Sequence, residues 1–242
     1  MYLWGATPDG PSVSNSHLPA LFRERGKDIS RLEGFSDCAF GFAVTLLIVS
    51  LDVPSRFSVL LDLLRGFPTF AVSFAIIAGI WYAQYRFFRR YGVEDTVTVV
   101  LTLTLLFVVL FYVYPLKFVF RLAFNASPDA IAHSDVPLLF TIYGLGFSAV
   151  WVVLGLLYVN AYRQRRTLGL TPWETFVTRI SAIQHLSISA FGLLSAALSF
   201  LVPEPFTAPV AGFIYFLIFI PQAVFGRVRS RARRHLLTET AT

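Results

Sequence analysis

Several polar side chains interrupt a stretch of this chain that is otherwise suited to lipid. Residues 31–54 read RLEGFSDCAFGFAVTLLIVSLDVP, placing Arg31, Ser36, Asp37 and Thr45 in one apolar run with Asp52 near its end. In hydrocarbon such groups are costly unless other protein groups or a water-filled path satisfy them, so they mark functional or tightly packed positions. Two kinds of chemistry fit these residue types. A ring of threonine hydroxyls can replace part of the hydration of a passing ion. A carboxylate near the membrane boundary can anchor a helix through helix-start amides, a hydroxyl, or an Arg or Trp of another helix; the alternative is a proton relay.

Placed on a helix at about 100° per residue, Phe35, Cys38, Phe42, Thr45 and Val49 fall on one stripe, while Ser36 and Asp37 point well away from it. The helix therefore has two interfaces. One is a narrow apolar seam with a hydroxyl in its middle, and the other buries Ser36 and Asp37 against neighbouring helices. The spacing of the seam admits two readings. It is the spacing of any helix that packs with a left-handed crossing. It is also the spacing of a pore wall made by the same helix from several subunits, where apolar rings gate by dewetting. Asp52 would then raise cation concentration at the outer entrance, or be an ordinary solvated carboxylate.

The elements that must position this helix follow from composition. Of the 242 residues, 56% are hydrophobic and 14% charged, with mean hydropathy +0.66. Soluble domains carry nearly twice that share of charge. Six apolar segments can be marked, near 35–53, 67–88, 97–120, 138–158, 176–202 and 206–225. Each approaches the roughly 20 residues a helix needs to cross the hydrocarbon, and none shows the two-residue alternation of a barrel strand. The class expected is all-α, with six transmembrane helices over residues 30–226. Residues 1–29 form a polar, disordered cytoplasmic tail in this reading, and residues 227–242 a basic one. The polar start lacks the pattern of a signal peptide. Thr171-Pro172-Trp173-Glu174 reads as a capped helix start. Pro203-Glu204-Pro205 is a tight link that makes the last two spans an antiparallel hairpin.

The formal charge is +6, and most basic residues lie between spans, so nucleic-acid binding is not expected. Arg23, Arg25, Lys27 and Arg31, then Arg86, Arg89 and Arg90, then Arg163, Arg165 and Arg166, then the arginines from Arg227 to Arg234 all fall on one side if there are six spans. That side is cytoplasmic by the positive-inside rule, which puts both termini inside. No internal repeat is found, and one unit of this size leaves little room for a wide pathway of its own. A pathway would need several copies around an axis.

The string Arg31-x-x-x-Phe35-Ser36-Asp37, continued by Phe40 and Thr45-Leu46-Leu47 and closed by Val53-Pro54, resembles the transmembrane protein 175 family of potassium channels in its short bacterial form. Trp81 followed by Arg86-Phe87-Phe88-Arg89 supports this, and the likeness is good over about residues 30–125. The resemblance implies a homotetramer in the bacterial inner membrane, with the first helix lining a central pore and no TVGYG-like filter. Carried over by position, the apolar constrictions fall on Phe42 and Val49 and the hydroxyl layer on Thr45. Arg31, Phe35, Ser36 and Asp37 become a packing and hydrogen-bond cluster at the cytoplasmic end. Three departures stand out. Phe42 replaces a branched aliphatic residue, Cys38 replaces a glycine, and Gln84 and Tyr85 stand where a histidine pair often follows Trp81.

Other sites carry less. His133 between Asp129 and Asp135 is a weak metal candidate. His185 reads as a packing residue, and Arg227 to Arg234 as contacts to anionic headgroups. No nucleophile-base set or phosphate-cradling loop occurs, so neither an enzyme, a cofactor nor a metal site is expected. The function expected is passive conduction of potassium, the permeant ion, through a hydrophobically constricted pore. The alternatives are a small proton-coupled transporter, which would show repeats and broken helices such as Gly144 and Gly146 could allow, and a membrane protein with packing or regulatory work only.

Overall fold

The computed structural model describes residues 22–49, 56–125, 131–203 and 205–239. Among them are eight α-helices and no strand: α1 (Arg31–Val49), α2 (Phe57–Arg65), α3 (Phe67–Tyr91), α4 (Thr96–Asn125), α5 (Val136–Arg163), α6 (Pro172–Leu201), α7 (Thr207–Phe213) and α8 (Phe219–Glu239). Five stretches are long and apolar enough to cross a membrane: Phe67–Tyr91, Thr96–Phe124, Val136–Arg163, Pro172–Leu201 and Thr207–Arg234. The first expected span corresponds to α1, whose continuation toward Pro54 lies outside the described residues. The sequence pattern does not disclose α2, a short amphipathic helix that packs on α3.

The framework is the α5–α6 pair. Gly144 and Gly192 face each other so closely that a Cβ on Gly144 would stand 2.4 Å from the Gly192 carbonyl oxygen. Small residues let two membrane helices approach in this way, and Ser148 locks the seam by donating to the Ser189 carbonyl at 2.8 Å. Gly144 and Gly146 thus serve packing, and α5 runs unbroken through both. Against α5 pack α4 and α3, and α1 rests on α3 and α4. The shared core holds Leu47, Ile77, Phe87, Leu105, Leu116, Leu154 and Leu157, all essentially inaccessible.

The ends of the elements follow local chemistry. Thr171 caps α6 in a full capping box, its hydroxyl accepting from the Glu174 amide and its amide donating to the Glu174 carboxylate. Gly92 ends α3 in the left-handed conformation, with φ 57°, where a side chain would be strained. Asp95 starts α4 by accepting from the Val97 amide and the Thr98 hydroxyl, while Asn160 of α5 donates to the same carboxylate. Two expectations are revised. Residues 22–29, read as tail, are tied down: the Arg25 and Gly26 amides donate to the Arg89 carbonyl, and Arg25 forms a 2.7 Å ion pair with buried Glu174. The last span is not one helix but α7, a 3₁₀ segment over Ile214–Ile218, and α8, which carries the basic segment expected from residue 227 onward as helix to Glu239.

Candidate functional site

Helix α1 begins at Ser30, whose hydroxyl accepts from the Glu33 amide, and it lies across α3 and α4 with one face inward. Phe40, Ala43 and Leu47 form that inner face and are buried. Ser36 is buried with them, its hydroxyl donating to the Leu32 carbonyl at 2.8 Å and accepting from Gln84 Nε2 at 3.3 Å. Gln84 therefore fills its position as a buried hydrogen-bonding partner of Ser36, although it carries no proton that titrates near neutrality. Asp37 accepts from Trp81 Nε1 at 2.7 Å, and the Trp81 ring stacks on Tyr85 with centroids 5.6 Å apart. The partner is of the type expected. The burial is not, for Asp37 stays exposed at the rim of the α1–α3 contact.

The opposite face has no covering among the described residues. Phe35 is 57% exposed and Phe42 58%, and Cys38, Gly41 and Thr45 are exposed beside them. A Cβ added at Gly34 or Gly41 would meet nothing within 4 Å. Thr45 donates its hydroxyl proton to the Phe42 carbonyl at 2.7 Å. Its oxygen lone pairs are thus left to accept from, or coordinate, whatever stands before the stripe. Val49 ends the helix with its side chain outside the described residues, and Asp52 lies outside them altogether. The expected cluster of Arg31, Phe35, Ser36 and Asp37 is divided: Ser36 and Asp37 bind neighbouring helices, while Arg31 and Phe35 project outward and Arg31 has no hydrogen-bonding partner among the described residues. Phe35 and Arg31 follow the uncovered face because they lie one helical turn apart.

Two residues that position α1 escape a reading of the sequence alone. Lys117 of α4 donates to the Leu47 carbonyl at 2.8 Å, holding the C-terminal end of α1 where a cation complements the helix dipole. Its signal is the presence of a lone lysine in an apolar run just after Pro115. Glu33 is 7% exposed and sits in the first turn of α1, where its amide donates to the Ser30 hydroxyl. Elsewhere His185 is a packing residue as expected: Nδ1 meets the Ser181 carbonyl at 2.6 Å and the ring stacks on Tyr158. His133 opens a 3₁₀ turn with its side chain outside the described residues, as is Asp129. Asp135 contacts the Ser134 hydroxyl.

Fold and site together define a multi-pass helical membrane protein whose first helix is anchored on one face and uncovered on the other. Over residues 31–112 the chain matches the family model described as the endosomal/lysosomal potassium channel TMEM175. It is 37% identical over 233 residues to a potassium channel of Marivirga tractuosa, covering 90% of this chain and 94% of that one. It is 26% identical over 193 residues to a potassium channel of Streptomyces collinus, covering 72% of this chain and 94% of the relative. Among solved structures it is similar to a variant of the potassium channel MtTMEM175 bound to a nanobody–MBP fusion, with TM-score 0.74 and 36% identity over 87% of this chain and 97% of that one. A lysosomal potassium-selective channel TMEM175 homologue from Chamaesiphon minutus shares the fold, with TM-score 0.50 and 24% identity over 81% of this chain and 96% of that one. The chain belongs to the TMEM175 family of potassium channels.

Proposed function

We propose that this protein conducts potassium passively across the bacterial inner membrane as a homotetramer, with both termini cytoplasmic and α1 of each copy lining the pathway. The observation that carries the reading is the uncovered stripe of α1. Phe35, Cys38, Phe42 and Thr45 are exposed while the other face of the same helix is buried to completion at Ala43. An apolar stripe that none of the described residues covers, set beside hydroxyl lone pairs, suits a symmetry axis. In this arrangement Phe42 and Val49 form dehydrated constrictions, Thr45 supplies a layer of oxygen contacts between them, and Asp52 concentrates cations at the outer entrance. Cys38 lines the wall on the cytoplasmic side of Phe42. Ser36–Gln84, Asp37–Trp81 and Lys117–Leu47 hold the helix from behind, so that the rings stay in register.

The transporter alternative needs a broken helix lined with polar groups at mid-membrane. The only interruption of a span among the described residues, Ile214–Ile218, reads IYFLI and offers one hydroxyl, which favours packing over substrate binding. The test is reconstitution of the pure protein in planar bilayers under a potassium gradient. The reading requires a reversal potential that follows potassium, a larger current in Phe42→Ile, and a weaker preference for potassium over sodium in Thr45→Ala. Absence of potassium current both with Phe42 intact and in Phe42→Ile would overturn it.

A further inference from the structure

The segment that leads into α1 is fastened at several points before the helix begins. Arg25 engages every N–H of its guanidinium. Nε donates to the Leu168 carbonyl at 3.0 Å, and Nη1 to the Arg23 carbonyl and to Glu174 Oε1, both at 3.0 Å. Nη2 donates to Glu174 Oε2 at 2.7 Å and to the Gly169 carbonyl at 3.2 Å. The Arg23 amide adds a bond to Glu174 Oε1 at 2.9 Å. Glu174 is 1% exposed and is held in turn by the Thr171 amide of its own capping box. On the α3 side, the Arg25 and Gly26 amides share the Arg89 carbonyl, and the Arg89 side chain donates to the Lys27 carbonyl and to Glu24, each at 3.2 Å. A side chain on Gly26 would run into the Phe88 carbonyl oxygen, so the segment lies directly on the last turns of α3. Phe22 closes the far end, its ring edge-on to Tyr91 with centroids 5.6 Å apart.

The tether from this clasp to α1 is short. Only Asp28 and Ile29, both exposed, separate the bonded Lys27 carbonyl from Ser30, where α1 begins. A chain of that length spans at most about 11 Å when fully drawn out, so the first turn of α1 cannot travel far from the end of α3. Helix packing provides a different set of connections. α1 rests on α3 and α4, whereas α6, which carries Glu174 in its first turn, packs on α5, α7, α8 and the 3₁₀ segment. The clasp therefore joins the start of α6 to the start of α1 by a route outside the helix contacts.

That route matters because α1 is gripped on one face only. Phe40, Ala43 and Leu47 are buried, while Phe35 and Phe42 on the other face are more than half exposed. Packing on one side leaves the tilt of a helix less determined than packing all round, and a fixed point at its first residue supplies the missing constraint. We infer that residues 22–29 are a strap that sets the direction in which α1 leaves the end of α3, with Arg25 and Glu174 as positioning residues that tie the pathway-lining helix to the first turn of α6. The tie itself does not depend on conduction. Its effect on current rests on the function proposed above: a strap under control of the α6 start holds the apolar stripes apart, and slack lets them collapse onto one another.

The experiment adds slack without touching the clasp. A Gly-Gly-Gly insertion between Asp28 and Ile29 lengthens the tether by about 10 Å and removes none of the contacts named above. Full-length protein in nanodiscs is followed by amide hydrogen exchange with mass spectrometry, and the same protein is recorded in planar bilayers. Exchange over residues 34–41 should rise about threefold or more, while residues 22–27 and 171–175 stay within about twofold of wild type. The open fraction should fall at least about twofold with the reversal potential unchanged, because Phe42, Thr45 and Val49 are intact. The double variant Arg25→Gln, Glu174→Gln removes both charges together, so that neither is left buried alone, and should speed exchange over residues 22–27 and 34–41 alike. Lys27→Gln, at an exposed position of the same segment, should match wild type. Wild-type exchange over residues 34–41 in the slack variant would overturn the inference, as would a double variant whose faster exchange stops at residue 27. Either result makes the clasp a local anchor. An open fraction that is unchanged or raised by slack, in a protein that conducts, would overturn the link to the pathway. Absence of current in wild type would instead refute the proposed function, and the exchange measurement would still decide the strap. Should the double variant fail to fold, the slack variant decides alone.

Discussion

The α5–α6 seam and the outer face of α1 are made of the same kinds of residue, yet they stand in opposite situations. Along the seam, Gly144 and Gly192 bring two backbones together, and half of the apolar stretch of α5 is buried within the chain. On α1, Gly34 and Gly41 lie beside Phe35 and Phe42 in open space, with nothing near enough to touch an added methyl group. Glycine in the first setting is demanded by a neighbour in the same chain. In the second it leaves a groove that no described residue fills. An apolar surface thus acquires its meaning from what meets it, and the two faces of α1 differ in that respect more than in composition.

Substitution tests this contrast from its strongest arm downward. Gly144→Val drives a side chain into the Gly192 carbonyl and should cost about 3 kcal/mol or more, beyond ordinary overpacking because backbone rather than a flexible side chain must move. The measurement is the melting midpoint and recovery from size-exclusion chromatography, and a variant as stable as wild type would show that the helices can slide apart freely. Next comes Glu174→Gln, at the root of α6. It leaves Arg25 without its counter-charge in a site where Glu174 is 1% exposed, and breaking such a pair costs about 3 kcal/mol. Protease sensitivity of residues 22–29 should rise with it, because Arg25 and the Arg23 amide both end on this carboxylate.

A smaller effect is expected from acid. Burial tends to raise the Asp95 carboxyl, but Thr98, Gln164, Asn160 and the Val97 amide outweigh it and hold the group below its ordinary value of 3.8. A carboxyl depressed in the folded state stabilises at every pH above its unfolded value and loses that contribution as pH falls through the folded one. The melting midpoint should therefore drop below about pH 4 more steeply in wild type than in Asp95→Asn, and identical profiles would remove Asp95 from the account. Least of all should Gly41→Ala disturb folding. In the separate chain it is expected to be neutral or to stabilise α1 by up to about 1 kcal/mol, since alanine is the better helix former. If it spares the fold but changes subunit association or current, the uncovered face is a meeting surface; if it destabilises the chain as Gly144→Val does, the contrast between the two faces fails.

Much of this was legible in the order of residues. The capping box at Thr171–Glu174, the spans and the stripe all follow from local spacing, because a helix repeats its faces whatever surrounds it. The preference of Asp37 for a partner such as Trp81 was legible too, since a carboxylate beside lipid needs a donor. What stayed hidden was non-local. Nothing near Arg25 in sequence announces Glu174, 149 residues away. Nothing in the apolar run 206–225 marks the 3₁₀ segment that divides it.

The sequence by itself determined which stretches are helices and which of their faces are apolar, for both properties arise from neighbours a few residues apart. Only the tertiary structure decided which apolar faces are used within one chain. It placed Ala43 and Leu47 in the core and left Phe42 and Thr45 uncovered, although both pairs belong to one helix. The reason is that burial depends on distant partners: α3 and α4 take up one side of α1, and none of the described helices packs on the other.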